Sequence, residues 1–236
     1  MSRVRSDGTT DGRESLTVLE RLAAAVEQLS PDRRVIVAID GPDAAGKTTL
    51  AETLAGRLNR PALRVSVDDW HNPRAVRHRR GDESPHGYYL DSFDYESLTE
   101  HLLLPYRAGA DQVQTGSFDF RADAASIAHT QMESPYAALL LDGVFLLRPE
   151  LRQHWDLSIY LHVPESVTVA RALVRDSELL GGPGEVQRRY EQRYLPAHAL
   201  YREAASPFDH ADIVLDNSDP LNPEVVRWPN HIVETR

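Results

Sequence analysis

Cysteine is absent from this chain of 236 residues, which excludes disulfide bonds and thiolate metal sites and favours a reducing compartment. Long apolar runs are also absent, and none approaches the ~20 residues that a membrane-spanning helix needs. Residues 1–14 are polar, predict a disordered tail, and lack the apolar core of a signal peptide. We therefore expect a soluble, cytoplasmic protein with no membrane partner.

Basic residues are scarce, because 26 lysines and arginines stand against 36 acidic residues, for a formal net charge of −10. Sequence-independent binding of nucleic acid needs a basic surface, so we expect no nucleic-acid partner. The same balance is compatible with a small anionic substrate held in a local basic pocket. The length is enough for one α/β domain with a well-buried core.

A phosphate-binding loop is the most informative feature that the chain does contain. An apolar strand at 35–40 enters Gly41-x-x-x-x-Gly46-Lys47-Thr48, and a helix-forming stretch follows. The glycines allow a tight turn that aims backbone N–H groups at phosphate oxygens, and the helix adds its positive end. Lys47 can reach the β- and γ-phosphates, and the hydroxyl of Thr48 can bind Mg²⁺. We expect a nucleoside triphosphate and Mg²⁺ as cofactors, with the choice between ATP and GTP left open by the loop itself, and nucleotide contacts from Gly41, Asp43, Ala44, Ala45, Gly46, Lys47, Thr48 and Thr49.

Strands alternate with helices along the rest of the chain. Apolar residues at helical spacing and helix-forming stretches predict helices at 15–29, 50–58, 93–106, 166–176 and 185–203. Further strands are predicted at 62–67, 113–120, 136–141, 157–163 and 211–215. Residues 70–90 are polar, contain proline and glycine, and are predicted to be a loop. This order predicts a single α/β domain over 15–236, with helices on both faces of a central parallel sheet.

Two acidic residues follow predicted strands, where an α/β fold places catalytic groups. Asp68 follows the second strand and Asp142 ends the apolar run at 136–141. A carboxylate at Asp68 would accept the proton of an attacking hydroxyl or orient Mg²⁺, and Asp142 would be a second partner of the metal. Asp69 is an alternative candidate for the role of Asp68. For each of these aspartates, forming a turn or capping a helix is the structural alternative to a catalytic or metal-binding role. Gly143, where hydrolysing motors carry glutamate, favours transfer to an acceptor.

Arginines flank a glycine-rich segment at 181–184. A lid over about 177–190 that carries such arginines would close over phosphates, exclude water and neutralise charge in the transition state. We favour Arg175 and Arg189 as the catalytic arginines. Solvated helix faces with charge pairs four residues apart are the alternative.

Candidate acceptor contacts lie between the second strand and the hairpin. His71 adjoins Asp68, and the run Phe118-Asp119-Phe120-Arg121 indicates aromatic walls around a polar group. Packing in the core explains the two phenylalanines equally well. The basic run at 74–81 would recognise an anionic part of the acceptor, or would be a solvated loop.

From about 35 to 217, these residues resemble the uridine kinase and phosphoribulokinase-like branch of P-loop kinases. The similarity is carried by the P-loop together with 65–71, 91–94, 118–120, 141–145, 174–176 and 211–217. In that family the aspartate of a Ser-x-Asp-x-aromatic segment is the general base, which assigns this role to Asp68. Asp142 stands in place of a metal-linked glutamate. The resemblance also implies a three-layer fold with about five parallel strands, a β-hairpin as acceptor wall and an arginine-bearing lid.

The resemblance implies ATP-dependent phosphoryl transfer to a hydroxyl group of a small molecule, with a nucleoside as the first acceptor. Tyr88 stands where uridine kinases carry a ribose-binding aspartate, Phe118 replaces a tyrosine and Asp123 a histidine. Nicotinamide riboside, pantothenate or a sugar phosphate are alternative acceptors, and a regulatory ATPase without an acceptor is the alternative of another class. The sequence also leaves open whether the protein forms a homo-oligomer. We assign the acceptor contacts to His71, Tyr88, Phe118, Asp119 and Arg121.

Overall fold

The computed structural model of the protein describes residues 17–230, so the tail predicted at 1–14 lies outside the described residues. The strands are β1 (Val35–Asp40), β2 (Ala62–Ser66), β3 (Gln112–Asp119), β4 (Ala124–Gln131), β5 (Ala138–Gly143), β6 (Leu157–His162), β7 (Ile213–Asp216) and β8 (Glu224–Arg227). The α-helices are α1 (Val18–Gln28), α2 (Lys47–Ala55), α3 (Arg74–Arg77), α4 (Pro85–Asp91), α5 (Tyr95–Leu98), α6 (Leu104–Arg107), α7 (Glu165–Leu180), α8 (Pro183–Arg189), α9 (Leu195–Ala205) and α10 (Pro207–His210).

Six strands form the main sheet in the order β2-β5-β1-β6-β7-β8. The first five are parallel, as predicted, and β8 adds an antiparallel edge strand that was not predicted. β1 and β5 are buried along their whole length, which explains why both are apolar runs in the sequence. In the register of this sheet, Asp40 pairs with Gly143 and Ser66 with Asp142, so the carboxyl ends of β1, β2 and β5 meet at one edge.

Helices cover both faces of the sheet and complete a three-layer α/β fold, as predicted. Ile36 and Ala38 of β1 face a core formed with α4, α5, α6 and α9. Val35, Val37 and Ile39 of the same strand face the opposite core, formed with α1 and α2. This division follows from the alternation of side chains along a strand.

The predicted β-hairpin is present, and it is longer than the sequence indicated. β3 pairs with β4 in antiparallel register from Gln112 with Gln131 to Asp119 with Ala124. The second strand was missed because β4 contains small and polar residues and is exposed almost throughout, with Ile127 66% exposed. The hairpin packs against the turn that follows β2, which places it beside Asp68.

Residues 70–90 are not a loop throughout, which corrects the prediction. α3 and α4 lie within this segment, and α4 begins where Ser84 accepts a hydrogen bond from the N–H of Gly87. Helix signals were obscured because α3 has only four residues and α4 contains proline and glycine. Proline at the first position of a helix is tolerated because its missing N–H has no partner there.

The segment predicted as a lid, 177–190, covers the end of α7, the glycines at 181–182 and α8. Gly181 ends α7 with φ +90°, a left-handed conformation that glycine adopts at low cost. α8 continues through a π-helical turn at Tyr190–Tyr194 into α9. Within residues 17–230, none of the helices combines the length and the apolar character that crossing a bilayer requires.

Candidate active site

The P-loop connects the end of β1 to the start of α2. Gly46 has φ +92°, and a Cβ atom there would lie 2.9 Å from Nδ2 of Asn217, so both the backbone and the space favour glycine. The Nζ atom of Lys47 donates a hydrogen bond of 2.7 Å to the carbonyl of Pro42. The lysine side chain therefore folds back along the loop whose N–H groups would contact phosphate.

A cavity of about 340 Å³ opens in front of this loop. It is lined by P-loop residues together with side chains from three other elements: Asp43, Lys47, Thr48, Thr49, Asp68, Asp142 and Arg175. Most of the predicted nucleotide, metal and catalytic residues are thus brought together around one space, which we call the phosphate cavity. Arg189 lies outside this group of lining residues and forms an ion pair of 2.6 Å with Glu185 on its own helix.

Asp142 faces the P-loop from the end of β5. Its Oδ2 atom accepts a hydrogen bond of 2.7 Å from Oγ1 of Thr48. Burial raises the pKa of Asp142, while the hydrogen bond from Thr48 and the charge of Lys47 act in the opposite direction. The next residue is Gly143, and a Cβ atom at this position would lie 2.2 Å from Cγ1 of Val67. Close packing of β5 against the turn after β2 therefore requires a glycine beside this carboxylate.

Asp68 lies in the 3₁₀ turn that follows β2, where its N–H bonds to the hydroxyl of Ser66. It borders two spaces: the phosphate cavity, and a cavity of about 560 Å³ between this turn and the hairpin, which we call the hairpin cavity. Asp69 lines the hairpin cavity but not the phosphate cavity. Of the two neighbouring aspartates, only Asp68 therefore connects the two spaces.

The predicted acceptor residues are distributed over the hairpin and the segment before it. Phe118, Asp119 and Arg121 line the hairpin cavity, and Asp119 also accepts hydrogen bonds from the N–H groups of the hairpin turn. His71 bonds through Nδ1 to the carbonyl of Asp68 at 2.8 Å, and its ring packs against Phe120 with centroids 4.8 Å apart. His71 therefore lies beside Asp68, as its position in the sequence predicted.

Tyr88 contacts the P-loop directly. Its hydroxyl donates to the carboxylate of Asp43 at 2.9 Å, and Nε2 of His198 lies 2.9 Å from the same carboxylate. Burial raises the pKa of Asp43, but the hydrogen bond and charge of His198, with help from Lys47 and Tyr88, outweigh it and lower that pKa to about 2. The sequence interpretation did not include His198. The only available signal was a histidine within a long, otherwise amphipathic helix.

The basic run at 74–81 is largely neutralised within the chain. Arg79 and Arg80 both pair with the buried carboxylate of Asp91, the second at 2.7 Å. Arg77 pairs with Asp123 at 2.9 Å. This run therefore links α3 and the turn after it to the end of α4 and to the hairpin.

A second cavity beside the P-loop, of about 730 Å³, has partly apolar walls. It lies between the first turn of α1, the exposed side of α2 and the segment after β7, and its lining includes Leu19, Thr49, Thr53, Arg171, Asn217 and Leu221. Arg171 holds this segment through hydrogen bonds of 2.8 and 2.9 Å to the carbonyls of Asn217 and Ser218. The sequence did not indicate this cavity, because its walls come from distant parts of the chain.

The side chains at the phosphate cavity suit Mg²⁺ bound together with a nucleotide. Among residues 17–230, no three histidine or acidic side chains converge as a metal-binding group. Mg²⁺ in nucleotide sites is typically held by one or two protein groups, with phosphates and waters completing the octahedron. The adjacent hydroxyl of Thr48 and carboxylate of Asp142, with Asp68 on the same cavity, fit that requirement.

A P-loop on a parallel sheet, with two carboxylates and an arginine around its cavity, defines the class of P-loop kinases. Residues 36–216 match the model of the phosphoribulokinase / uridine kinase family. The chain therefore belongs to this family and is an ATP-using kinase of it.

Similar proteins carry several descriptions. The uridine kinase of Vibrio campbellii is 25% identical over 188 residues, which cover 77% of this chain and 86% of that protein. A solved structure described as a possible uridine kinase from Bacillus stearothermophilus has a TM-score of 0.67 and 27% identity, over 83% of this chain and 96% of that one. A Silicibacter protein, provisionally described as a fructose transport system kinase, also has a TM-score of 0.67 and 27% identity, over 81% and 96%.

Proposed function

We propose that this protein transfers the γ-phosphoryl group of ATP, with Mg²⁺, to a hydroxyl group of a small molecule. The observation that carries the proposal is the position of Asp68, which borders both the phosphate cavity and the hairpin cavity. A general base must reach the acceptor hydroxyl while that hydroxyl faces the γ-phosphate. Asp68 is the described carboxylate with that placement.

In this proposal the P-loop amides and Lys47 bind the β- and γ-phosphates. The hydroxyl of Thr48 and the carboxylates of Asp142 and Asp68 hold Mg²⁺, which supplies charge neutralisation for the phosphates when bound. The nucleotide base occupies the second cavity beside α1 and Arg171, since this cavity adjoins Gly46 and Thr49. Its partly apolar walls suit the flat face of a purine.

Asp68 would accept the proton of the attacking hydroxyl through a carboxylate oxygen. Arg175, which lines the phosphate cavity, would stabilise negative charge on the transferred group. Arg189 would have to leave its ion pair with Glu185 before it could stabilise the transferred group in the same way. Lid closure would keep water away from the reacting groups.

The acceptor is the open element of the proposal. A nucleoside is the first class to test, because uridine kinases are among the proteins that are similar in sequence. Tyr88, whose hydroxyl is bound to Asp43, occupies the position that the resemblance assigns to a ribose-binding aspartate. Phe118, Asp119 and Arg121 would contact the acceptor from the hairpin cavity, and His71 from beside Asp68.

The test compares ADP formation by the purified protein with and without each of a panel of nucleosides, vitamins and sugar phosphates. Asp68→Asn should lower acceptor-dependent turnover by about 10²–10⁴-fold, because it removes the base but keeps the shape. ATP binding should be largely retained, since the P-loop, Thr48 and Asp142 still hold the phosphates and Mg²⁺. Asp69→Asn is the matched control and should retain most activity. Strong ADP formation that no acceptor increases would favour a regulatory ATPase instead.

A further inference from the structure

Arginines are concentrated around the lid and the basic run, and nearly all of them have an acidic partner. On the basic run, Arg74 pairs with Asp82, Arg77 with Asp123, and Arg79 and Arg80 with Asp91. On the lid, Arg175 pairs with Asp176, Arg188 with Glu83 and Glu185, and Arg189 with Glu185. These pairs leave little positive charge free to attract a ligand.

Arg193 differs from these arginines. Its guanidinium lies over the rings of Tyr88 and Tyr194, 5.4 and 6.0 Å from their centroids, and donates a hydrogen bond of 2.6 Å to the carbonyl of Asp82. Its Nε atom is buried without a hydrogen-bond partner. No carboxylate is among the partners of Arg193 in the described part of the chain.

The position of Arg193 relates it to the acceptor side of the active site. Tyr88, against which it packs, bonds to Asp43 on the wall of the phosphate cavity. The ring of Tyr88 also packs against Phe93 with centroids 6.4 Å apart, and Phe93 packs against His71 at 4.5 Å, whose Nδ1 bonds to the carbonyl of Asp68. Arg193 therefore packs on a group of rings that leads from the P-loop contact of Tyr88 to His71 beside Asp68.

The electrostatic setting of Arg193 is unfavourable without an added anion. Burial lowers the pKa of Arg193, and the charges of Arg189 and Arg77 lower it further. The hydroxyls of Tyr194 and Tyr88 act in the other direction, but burial raises the pKa of both tyrosines and keeps them neutral, so neither is a counter-ion. A partly buried cation without a counter-ion is destabilising, and an anionic ligand would reverse that effect. Arg193 also belongs to the π-helical turn at Tyr190–Tyr194, a distortion that occurs frequently at functional sites.

We propose that the acceptor of this kinase carries an anionic group, a phosphate or a carboxylate, and that Arg193 binds it. This inference rests on the proposed kinase function and narrows its acceptor. The guanidinium donates two parallel hydrogen bonds to such a group, which also orients the acceptor hydroxyl towards Asp68. Arg79 and Arg80 take no part, because Asp91 already engages both.

Binding can be tested with matched pairs of compounds that differ in one anionic group. The pairs are D-ribose with D-ribose 5-phosphate, glycerol with D-glycerate, and panthenol with pantothenate. Isothermal titration calorimetry is performed on the whole protein with Mg²⁺ and a non-hydrolysable ATP analogue, which occupies the P-loop and prevents phosphate compounds from binding there. At least one anionic member should bind about 10- to 100-fold more tightly than its neutral partner.

Arg193→Gln should remove this preference, Arg193→Lys should retain part of it, and Arg188→Gln on the same helical segment should leave it unchanged. Circular dichroism checks that each variant is folded, and the lysine variant keeps the test valid if the glutamine variant is not. The inference would be overturned by equal affinity within every pair, or by tighter binding of the neutral compounds or of uridine. It would also be overturned by an anion preference that survives in Arg193→Gln. Failure of the kinase proposal is detected separately, as ADP formation that no acceptor increases.

Discussion

The imidazole of His198 lies 2.9 Å from the carboxylate of Asp43, although 155 residues separate them in the sequence. This contact joins α9 to the P-loop, and the hydroxyl of Tyr88 bonds to the same carboxylate from α4. Since α9 continues from α8 through a π-helical turn, one nearly continuous helical segment connects the P-loop contact of His198 to the segment predicted as a lid.

The Asp43 carboxylate should make stability depend on pH in the acid range. Its pKa in the folded protein is about 2, below the ordinary value of 3.8. A group with a lowered folded pKa stabilises the protein above its unfolded pKa and loses that contribution as pH falls through the folded pKa. The contribution of about 2 kcal/mol should thus be present above pH 4 and lost towards pH 2.

The measurement for this prediction is the free energy of unfolding in urea between pH 5 and pH 2. Asp43→Asn should be less stable at pH 5, and its stability should fall less steeply than that of the wild type as pH decreases. Asp209→Asn, at an exposed position, is the control and should follow the wild-type curve. A curve for Asp43→Asn parallel to the wild type would contradict the assignment.

Asp142 should control the requirement for Mg²⁺. Asp142→Asn keeps the hydrogen bond from Thr48 but removes a charge, so the Mg²⁺ concentration needed for half-maximal activity should rise about 10-fold or more. Activity is measured against Mg²⁺ concentration, and an unchanged Mg²⁺ requirement would remove Asp142 from the metal site.

Gly143 should be intolerant of any side chain. In Gly143→Ala the added Cβ would lie 2.2 Å from Cγ1 of Val67, so the turn that carries Asp68 would have to move. We expect a loss of about 1–3 kcal/mol in unfolding free energy and a fall in activity. The double variant Gly143→Ala, Val67→Ala should lose less unfolding free energy than the sum of the losses in the two single variants. If the two losses simply add, the clash between these side chains is not the cause.

Arg171 should affect affinity for ATP rather than the rate of the chemical step. It holds the segment after β7 through the carbonyls of Asn217 and Ser218, on the wall of the proposed base cavity. Arg171→Gln should raise the KM for ATP about 10-fold and leave kcat nearly unchanged. Arg202→Gln, which removes an exposed pair with Glu165, is the control. A fall in kcat with constant KM would instead place Arg171 in the transition state.

The sequence alone could predict a phosphate site because the parts of the P-loop are contiguous. The strand, the glycine turn, Lys47 and the following helix occupy residues 35–55, so local geometry suffices to aim them at one ligand. Asp68 and Asp142 were also located, because the carboxyl ends of neighbouring parallel strands meet at one edge of a sheet. The fold class followed from the alternation of strands and helices, although β4 and β8 were missed because their residues are largely exposed and only weakly apolar.

Tertiary structure decided which charges are free and which are neutralised. Composition marked 74–81 as basic, yet Asp91 and Asp123 pair with three of its arginines, while Arg193, inconspicuous in the sequence, has no acidic partner among its contacts in residues 17–230. His198 and Arg171 likewise gain their roles from contacts across more than 40 residues. Electrostatic pairing depends on distance in space, which a one-dimensional pattern does not contain. The sequence therefore predicted a triphosphate site, and only the folded arrangement shows which of the charges around it are neutralised within the chain.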